Sequence, residues 1–196
     1  MRILLMGPPG VGKGTQAVAL AAARAIPAIS TGDLFRAHVR DRTVLGVQIA
    51  PLIAAGDYVP DAIVDGIVRE RIAEPECRHG FVLDGYPRTR AQAGSLDGAL
   101  AAAGVALDVA ILLTASGAEI AGRLRRRAIE QGRSDDTALV IERRLEVYRQ
   151  QTADLLENYR DRGLLREVSS EGTVEDVARR IGDVVSAVTE ENEESA

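Results

Sequence analysis

Tryptophan is absent from this 196-residue chain, and aromatic residues amount to only 3%. A core built almost without rings has to be aliphatic and alanine-rich, which suits helices packed closely on a sheet. The one cysteine, Cys77, excludes an intrachain disulfide and a thiolate metal cluster. The two histidines, His38 and His79, stand far apart with no metal-ligand spacing. No apolar run approaches the ~20 residues of a membrane span. The apolar start is shorter than the hydrophobic region of a secretory leader. A formal net charge of −5 argues against a nucleic-acid binder that relies on general basicity. These absences predict a cytoplasmic protein with neither membrane nor nucleic acid among its partners. With 46% hydrophobic residues the chain is long enough for one domain with a sizeable core.

What is present begins at the first apolar run. Ile3-Leu4-Leu5-Met6 leads straight into Gly7-Pro8-Pro9-Gly10-Val11-Gly12-Lys13-Gly14-Thr15-Gln16. Phosphate needs many donors in a small space, and glycines let successive backbone N–H groups converge on it. A following helix adds its unsatisfied N–H groups and the positive end of its dipole. Lys13 supplies a mobile charge for the outer phosphates. Gly7 and Gly12-Lys13 fit Gly-x-x-x-x-Gly-Lys, but Gly14 stands where Ser or Thr is usual, and Thr15 comes one residue late. Magnesium is therefore expected to be held through water and phosphate.

Nearly continuous apolar runs at Ile3–Met6, Phe81–Leu83, Val109–Leu113 and Leu164–Val168 predict parallel strands buried on both faces, with a brief fifth at Ala28–Ile29. Helical patterns cover 16–25, 34–40, 44–55, 63–73, 91–103, 119–129, 138–160 and 174–188. Their alternation predicts a doubly wound α/β sheet with ligands at the carboxyl ends of its strands. Residues 30–60 and 123–136 interrupt the alternation and read as mobile flaps. The acidic tail reads as solvated and frayed.

Three further constellations carry chemistry. Asp84 ends a buried strand, a position from which a carboxylate orients magnesium; its plainer reading is a cap. Pro87 fixes the turn before Arg88, whose guanidinium offers paired donors to a phosphate. Gln92, one helical turn on, offers a donor and an acceptor to a base edge such as adenine's. In Ser30-Thr31-Gly32-Asp33-Leu34-Phe35-Arg36, Thr31 is a candidate helix cap and Arg36 a candidate anion holder. Arg123 and Arg127 share a helix face at i, i+4, which favours an anionic partner. Arg133 follows in Gly132-Arg133-Ser134-Asp135-Asp136. In the long helix, Arg144 lies beside the stripe of Ile141, Leu145, Tyr148, Thr152, Leu155 and Tyr159 and reaches an interior cleft, while Arg143 faces water.

Taken together with Gly56-Asp57-Tyr58-Val59-Pro60-Asp61, these motifs resemble the adenylate kinases of the nucleoside monophosphate kinase group, in that family's order, over residues 1–189. The resemblance implies a P-loop three-layer α/β/α fold on a five-stranded parallel sheet. Its core would be 1–29, 60–122 and 137–189, its helical AMP-binding insert 30–59, its short lid 123–136, and 190–196 an acidic disordered tail. The implied reaction is MgATP + AMP ⇌ 2 ADP. Gly10, Val11, Gly12, Lys13, Gly14 and Thr15 would cradle the ATP phosphates, Arg123 and Arg127 would face ATP, and Gly172 would contact its base. Thr31, Arg36, Asp57, Tyr58, Val59, Gly85, Tyr86, Pro87, Arg88 and Gln92 would hold AMP. Arg133 and Arg144 would bridge the phosphates in flight. Asp84 would orient magnesium through water, and transfer would depend on it together with Lys13, Arg88, Arg123, Arg133 and Arg144. The short, cysteine-free stretch between Arg127 and Arg133 resembles the short-lid form, which implies a monomer and no structural zinc. A UMP/CMP-type kinase is the nearest rival, disfavoured by Thr31 and Gln92. A nucleotide-sensing switch is another, but it gains little from so many arginines.

Overall fold

The computed structural model describes residues 1–130 and 137–194. Five strands, β1 (Arg2–Met6), β2 (Ala28–Ser30), β3 (Phe81–Asp84), β4 (Val109–Thr114) and β5 (Leu165–Ser169), form one parallel sheet in the order β2-β3-β1-β4-β5. Around it lie α1 (Lys13–Arg24), α2 (Thr31–Arg40), α3 (Val44–Ala55), α4 (Asp61–Ile72), α5 (Arg90–Ala102), α6 (Gly117–Glu130), α7 (Ala138–Asp161) and α8 (Val174–Glu194). None of the described helices is long and apolar enough to cross a membrane.

The central strand explains the layers. Side chains alternate across a strand, so β1 sends Leu4 and Met6 to one face of the sheet and Ile3 and Leu5 to the other. Leu4 and Met6 join a core with Phe35 of α2, Ile49 of α3, Val64 of α4, Leu96 of α5 and Leu155 of α7. Ile3 and Leu5 join a second core with Leu20 of α1 and Ile181 of α8. The sheet is therefore sandwiched between two helical layers, and its strand order reverses about β1. The loops leaving β1, β3, β4 and β5 emerge along one edge, where a doubly wound sheet opens a crevice.

Three expectations need correction. Leu164–Val168 was expected to be buried on both faces, but β5 is an edge strand with only Val168 buried. Its charged residues face outward, where Arg166 pairs with Glu191 at 2.9 Å and Glu167 with Arg160 at 3.1 Å, as charge commonly protects an exposed edge. The segment expected to fray after Val188 instead continues α8 to Glu194. The Arg166–Glu191 pair pins it to β5, and Asn192 donates to Asp108 at 3.5 Å. Thr31 is not the cap of α2; Ser30 is, its hydroxyl accepting from the Asp33 N–H.

Candidate active site

The crevice is a cavity of about 680 Å³. The β1–α1 loop forms its floor. Gly10 has φ 83, and a Cβ there would sit 2.5 Å from Leu124 Cγ of α6, so only glycine lets the loop and that helix meet. Among the described residues six helices are capped by a side chain, Ser30 on α2, Thr43 on α3, Thr89 on α5, Ser116 on α6, Thr137 on α7 and Thr173 on α8. By contrast α1 begins at glycine with no side-chain cap and no acid in its first turn. Its leading N–H groups thus keep their capacity for an anion. Lys13 Nζ spans the loop, donating to the Gly7 carbonyl at 2.8 Å and the Pro8 carbonyl at 3.0 Å. Burial lowers its ammonium to a pKa of about 8; neighbouring Arg88 and Arg127 push the same way, and Asp84 opposes them.

Asp84 is the last residue of β3 and is nearly buried. A Cβ on Gly14 would lie 3.4 Å from its Oδ2, so the residue where Ser or Thr is usual leaves space for this carboxylate instead. No group of three or more His, Cys, Asp or Glu side chains that could cage a metal occurs among the described residues. One carboxylate beside a phosphate cradle fits a magnesium ion that arrives with its own phosphate and water ligands.

The arginines converge on the cavity from separate elements. Arg36 comes from α2, Arg88 from the β3–α5 loop, Arg123 and Arg127 from α6, and Arg144 from α7. Arg88 donates from Nε to the Gly85 carbonyl at 2.8 Å and lies over the Tyr58 ring at 4.8 Å. Both contacts steer the guanidinium plane and leave its terminal nitrogens available. Arg36 is held by Asp33 at 2.6 Å. Arg123 is on the wall, but its donors are committed to protein: Nε to Glu119 at 2.8 Å, Nη1 to the Val11 carbonyl at 2.9 Å, and Nη2 to the Ser170 carbonyl at 2.6 Å. It is a strut between α6, the phosphate loop and the turn before α8. Arg133 lies outside the described residues.

Most of the other expected residues also line this cavity. Gly10 to Thr15 are on one side with Gly172, and Asp57, Tyr58, Val59, Gly85 and Pro87 are on the other. Thr31, Tyr86 and Gln92 are one layer back. Thr31 donates to the Gly85 carbonyl at 3.0 Å. Tyr86 donates to Asp65 at 2.7 Å, and burial raises its phenol well above the ordinary range. Gln92 is 1% exposed and accepts from the Arg88 N–H at 2.7 Å.

Arg143 faces water as expected, and its Nε also donates to Asp57 at 2.9 Å, joining α7 to the segment after α3. The backbones come close enough for this because Gly56, with φ 79, has no side chain; a Cβ would sit 3.0 Å from the Val140 carbonyl. Arg126, Tyr148, Thr152 and Ser170 also line the cavity and were not anticipated. Tyr148 and Thr152 lay in the apolar stripe beside Arg144 and were readable there as cavity wall. Arg126 and Ser170 had no distinguishing spacing.

The family model described as "Adenylate kinase" matches residues 5–164. An adenylate kinase of a Nocardioides species is 50% identical over 190 residues, covering 97% of this chain and 100% of that protein. One from Clavibacter michiganensis is 50% identical over 180 residues, covering 92% and 90%. One from Thermobifida fusca is 49% identical over 180 residues, covering 92% and 95%. A phosphate loop, a carboxylate at the end of β3 and arginines from four elements around one cavity agree with these matches, and the chain belongs to the adenylate kinase family.

Proposed function

We propose that the cavity takes MgATP at the phosphate loop and AMP beside Arg88 and Tyr58, and passes the γ-phosphoryl group from one to the other to leave two ADP. The observation that carries this reading is the single cavity shared by Lys13, Arg36, Arg88, Arg127 and Arg144. Two nucleotides repel each other through their phosphates. Bringing them together in line supplies much of the rate without any covalent intermediate on the protein.

The division of labour follows position. The loop from Gly10 to Thr15 and Lys13 hold the donor's phosphates, and the turn at Gly172 borders its base. Arg36 and Arg88 hold the acceptor's phosphate, while Asp57, Tyr58 and Val59 border its base side. Arg127 and Arg144, with Arg133, spread the charge that develops during transfer. Arg123 braces the loop that the donor sits on. Asp84 turns toward magnesium's water shell, and the metal enters as part of the MgATP substrate, neutralising the phosphate oxygens. Thr31 backs the acceptor pocket, and Gln92 at its rear meets the acceptor's base through its carboxamide. Residues 30–59 and 123–136 close over the bound pair to exclude water and open to release product. The protein acts as a cytoplasmic monomer without structural zinc.

The test is direct. Purified protein is mixed with MgATP and each nucleoside monophosphate in turn, and diphosphates are counted. Two ADP for each AMP consumed is the expected result. A preference for UMP or CMP, or nucleotide binding without any diphosphate, overturns the reading.

A further inference from the structure

We propose that Asp61 is a specificity-determining positioning residue: it fixes which end of the Gln92 carboxamide is donor and which is acceptor, and so selects a 6-aminopurine monophosphate over a 6-oxopurine. The proposal rests on the reading that Gln92 meets the acceptor's base.

Asp61 opens α4, immediately after the segment that borders the acceptor. Its Oδ1 accepts from Gln92 Nε2 at 2.7 Å, and its Oδ2 accepts from the Thr89 hydroxyl at 2.8 Å. That hydroxyl in turn caps α5 by accepting from the Gln92 N–H at 3.2 Å. On the other side, Gln92 Oε1 accepts from the Arg88 backbone N–H at 2.7 Å. An ionised carboxylate only accepts, and a backbone N–H only donates. The two partners therefore remove the amide's usual two-fold ambiguity.

A carboxamide has two N–H groups and two lone pairs on its oxygen. Asp61 takes one N–H and Arg88 takes one lone pair, leaving one of each. The remaining lone pair suits an exocyclic amine, and the remaining N–H suits a bare ring nitrogen, the edge that adenine presents. A 6-oxopurine presents the reverse, a carbonyl and a protonated ring nitrogen, and meets donor with donor. With Asp61 removed, only the Arg88 N–H restrains the amide, and this discrimination weakens.

The experiment compares AMP with IMP as acceptors at saturating MgATP. Asp61→Ala is expected to lower kcat/KM for AMP about tenfold, mainly through KM, and to change IMP little, so the AMP/IMP ratio falls. Asp61→Asn keeps an oxygen for Gln92 and loses the charge at the start of α4; it is expected to restore the ratio, which separates orientation from helix stabilisation. Asp61→Ser serves the same test should the alanine protein not fold. Gln92→Leu checks the underlying reading. If it leaves the AMP/IMP ratio unchanged, Gln92 does not read the base. If it collapses the ratio while Asp61→Ala does not, or if Asp61→Ala weakens both acceptors equally, the role of Asp61 is overturned.

Discussion

Arg88, from the β3–α5 loop, and Arg144, from α7, reach the same cavity, and neither is a general surface charge. On the proposed mechanism, replacing either with alanine removes a cation from the point where negative charge is spread. Comparable arginines in phosphoryl transfer contribute about 10³–10⁵ in rate. Arg88→Ala and Arg144→Ala are expected to lose kcat by orders of magnitude while melting near the parent temperature, as steady-state kinetics and calorimetry on the same samples will read. Lys13 adds a pH dependence. Its free-enzyme ammonium, held at about 8 chiefly by burial, loses its charge as pH rises through that value. Since kcat/KM reports the free enzyme, kcat/KM for ATP is expected to decline above about pH 8. The decline in kcat sets in at higher pH, because bound phosphate favours the charged form. The stability effect has the opposite sense. A depressed amine pKa means the unfolded chain holds this proton more tightly, so the folded state gains as pH climbs from about 8 toward the free side chain's ordinary 10.5 and loses that gain on the way down. A pH series of denaturant midpoints, compared with Lys13→Met, isolates that contribution.

Contacts between elements bring Asp57, which follows α3, against Arg143 of α7, and both side chains remain substantially exposed. Such a pair has little bearing on overall stability. It ties the segment after α3, on the acceptor side in the proposed reading, to the helix carrying Arg144. Arg143→Ala is expected to raise KM for AMP by about two- to fivefold, with the gap narrowing in high salt. Exchanging the two charges, Asp57→Arg with Arg143→Asp, is expected to recover much of the loss. This contact also marks where sequence reasoning stops. Helical phase alone put Arg143 outward, and its partner lies 86 positions away, a separation no local pattern encodes. The same holds for Glu191, which extends α8 through an arginine on β5, and for Arg123, which lines the cavity with Arg127 and also donates to the Val11 and Ser170 carbonyls, partners that no spacing showed. By contrast, β1, β3 and β4 were legible because buried parallel strands need unbroken apolar runs. The phosphate loop was legible because its glycines and Lys13 are contiguous. Ser30 and Thr31 were separable only once the Gly85 carbonyl was seen to take the Thr31 hydroxyl.

At the level of the whole molecule, the proposed magnesium is expected to enter with the nucleotide and to take no part in the fold. A chelator is expected to abolish turnover, added magnesium to restore it, and the melting temperature to stay unchanged throughout. A drop in melting temperature on chelation would point to an ion built into the structure. The two apolar cores carry a further consequence. On the proposed reading the donor's floor rests on the core of α1 and α8, and the acceptor's wall on the core of α2, α3 and α4, with the sheet as a partition between them. Loosening is therefore addressable by side. Ile181→Ala and Ile49→Ala each remove a fully enclosed side chain and are expected to lower stability by about 2–5 kcal/mol. The first is expected to weaken chiefly the triphosphate's KM and the second chiefly the monophosphate's. A lineage adapting to heat or cold could thus retune its grip on one nucleotide while leaving the other untouched.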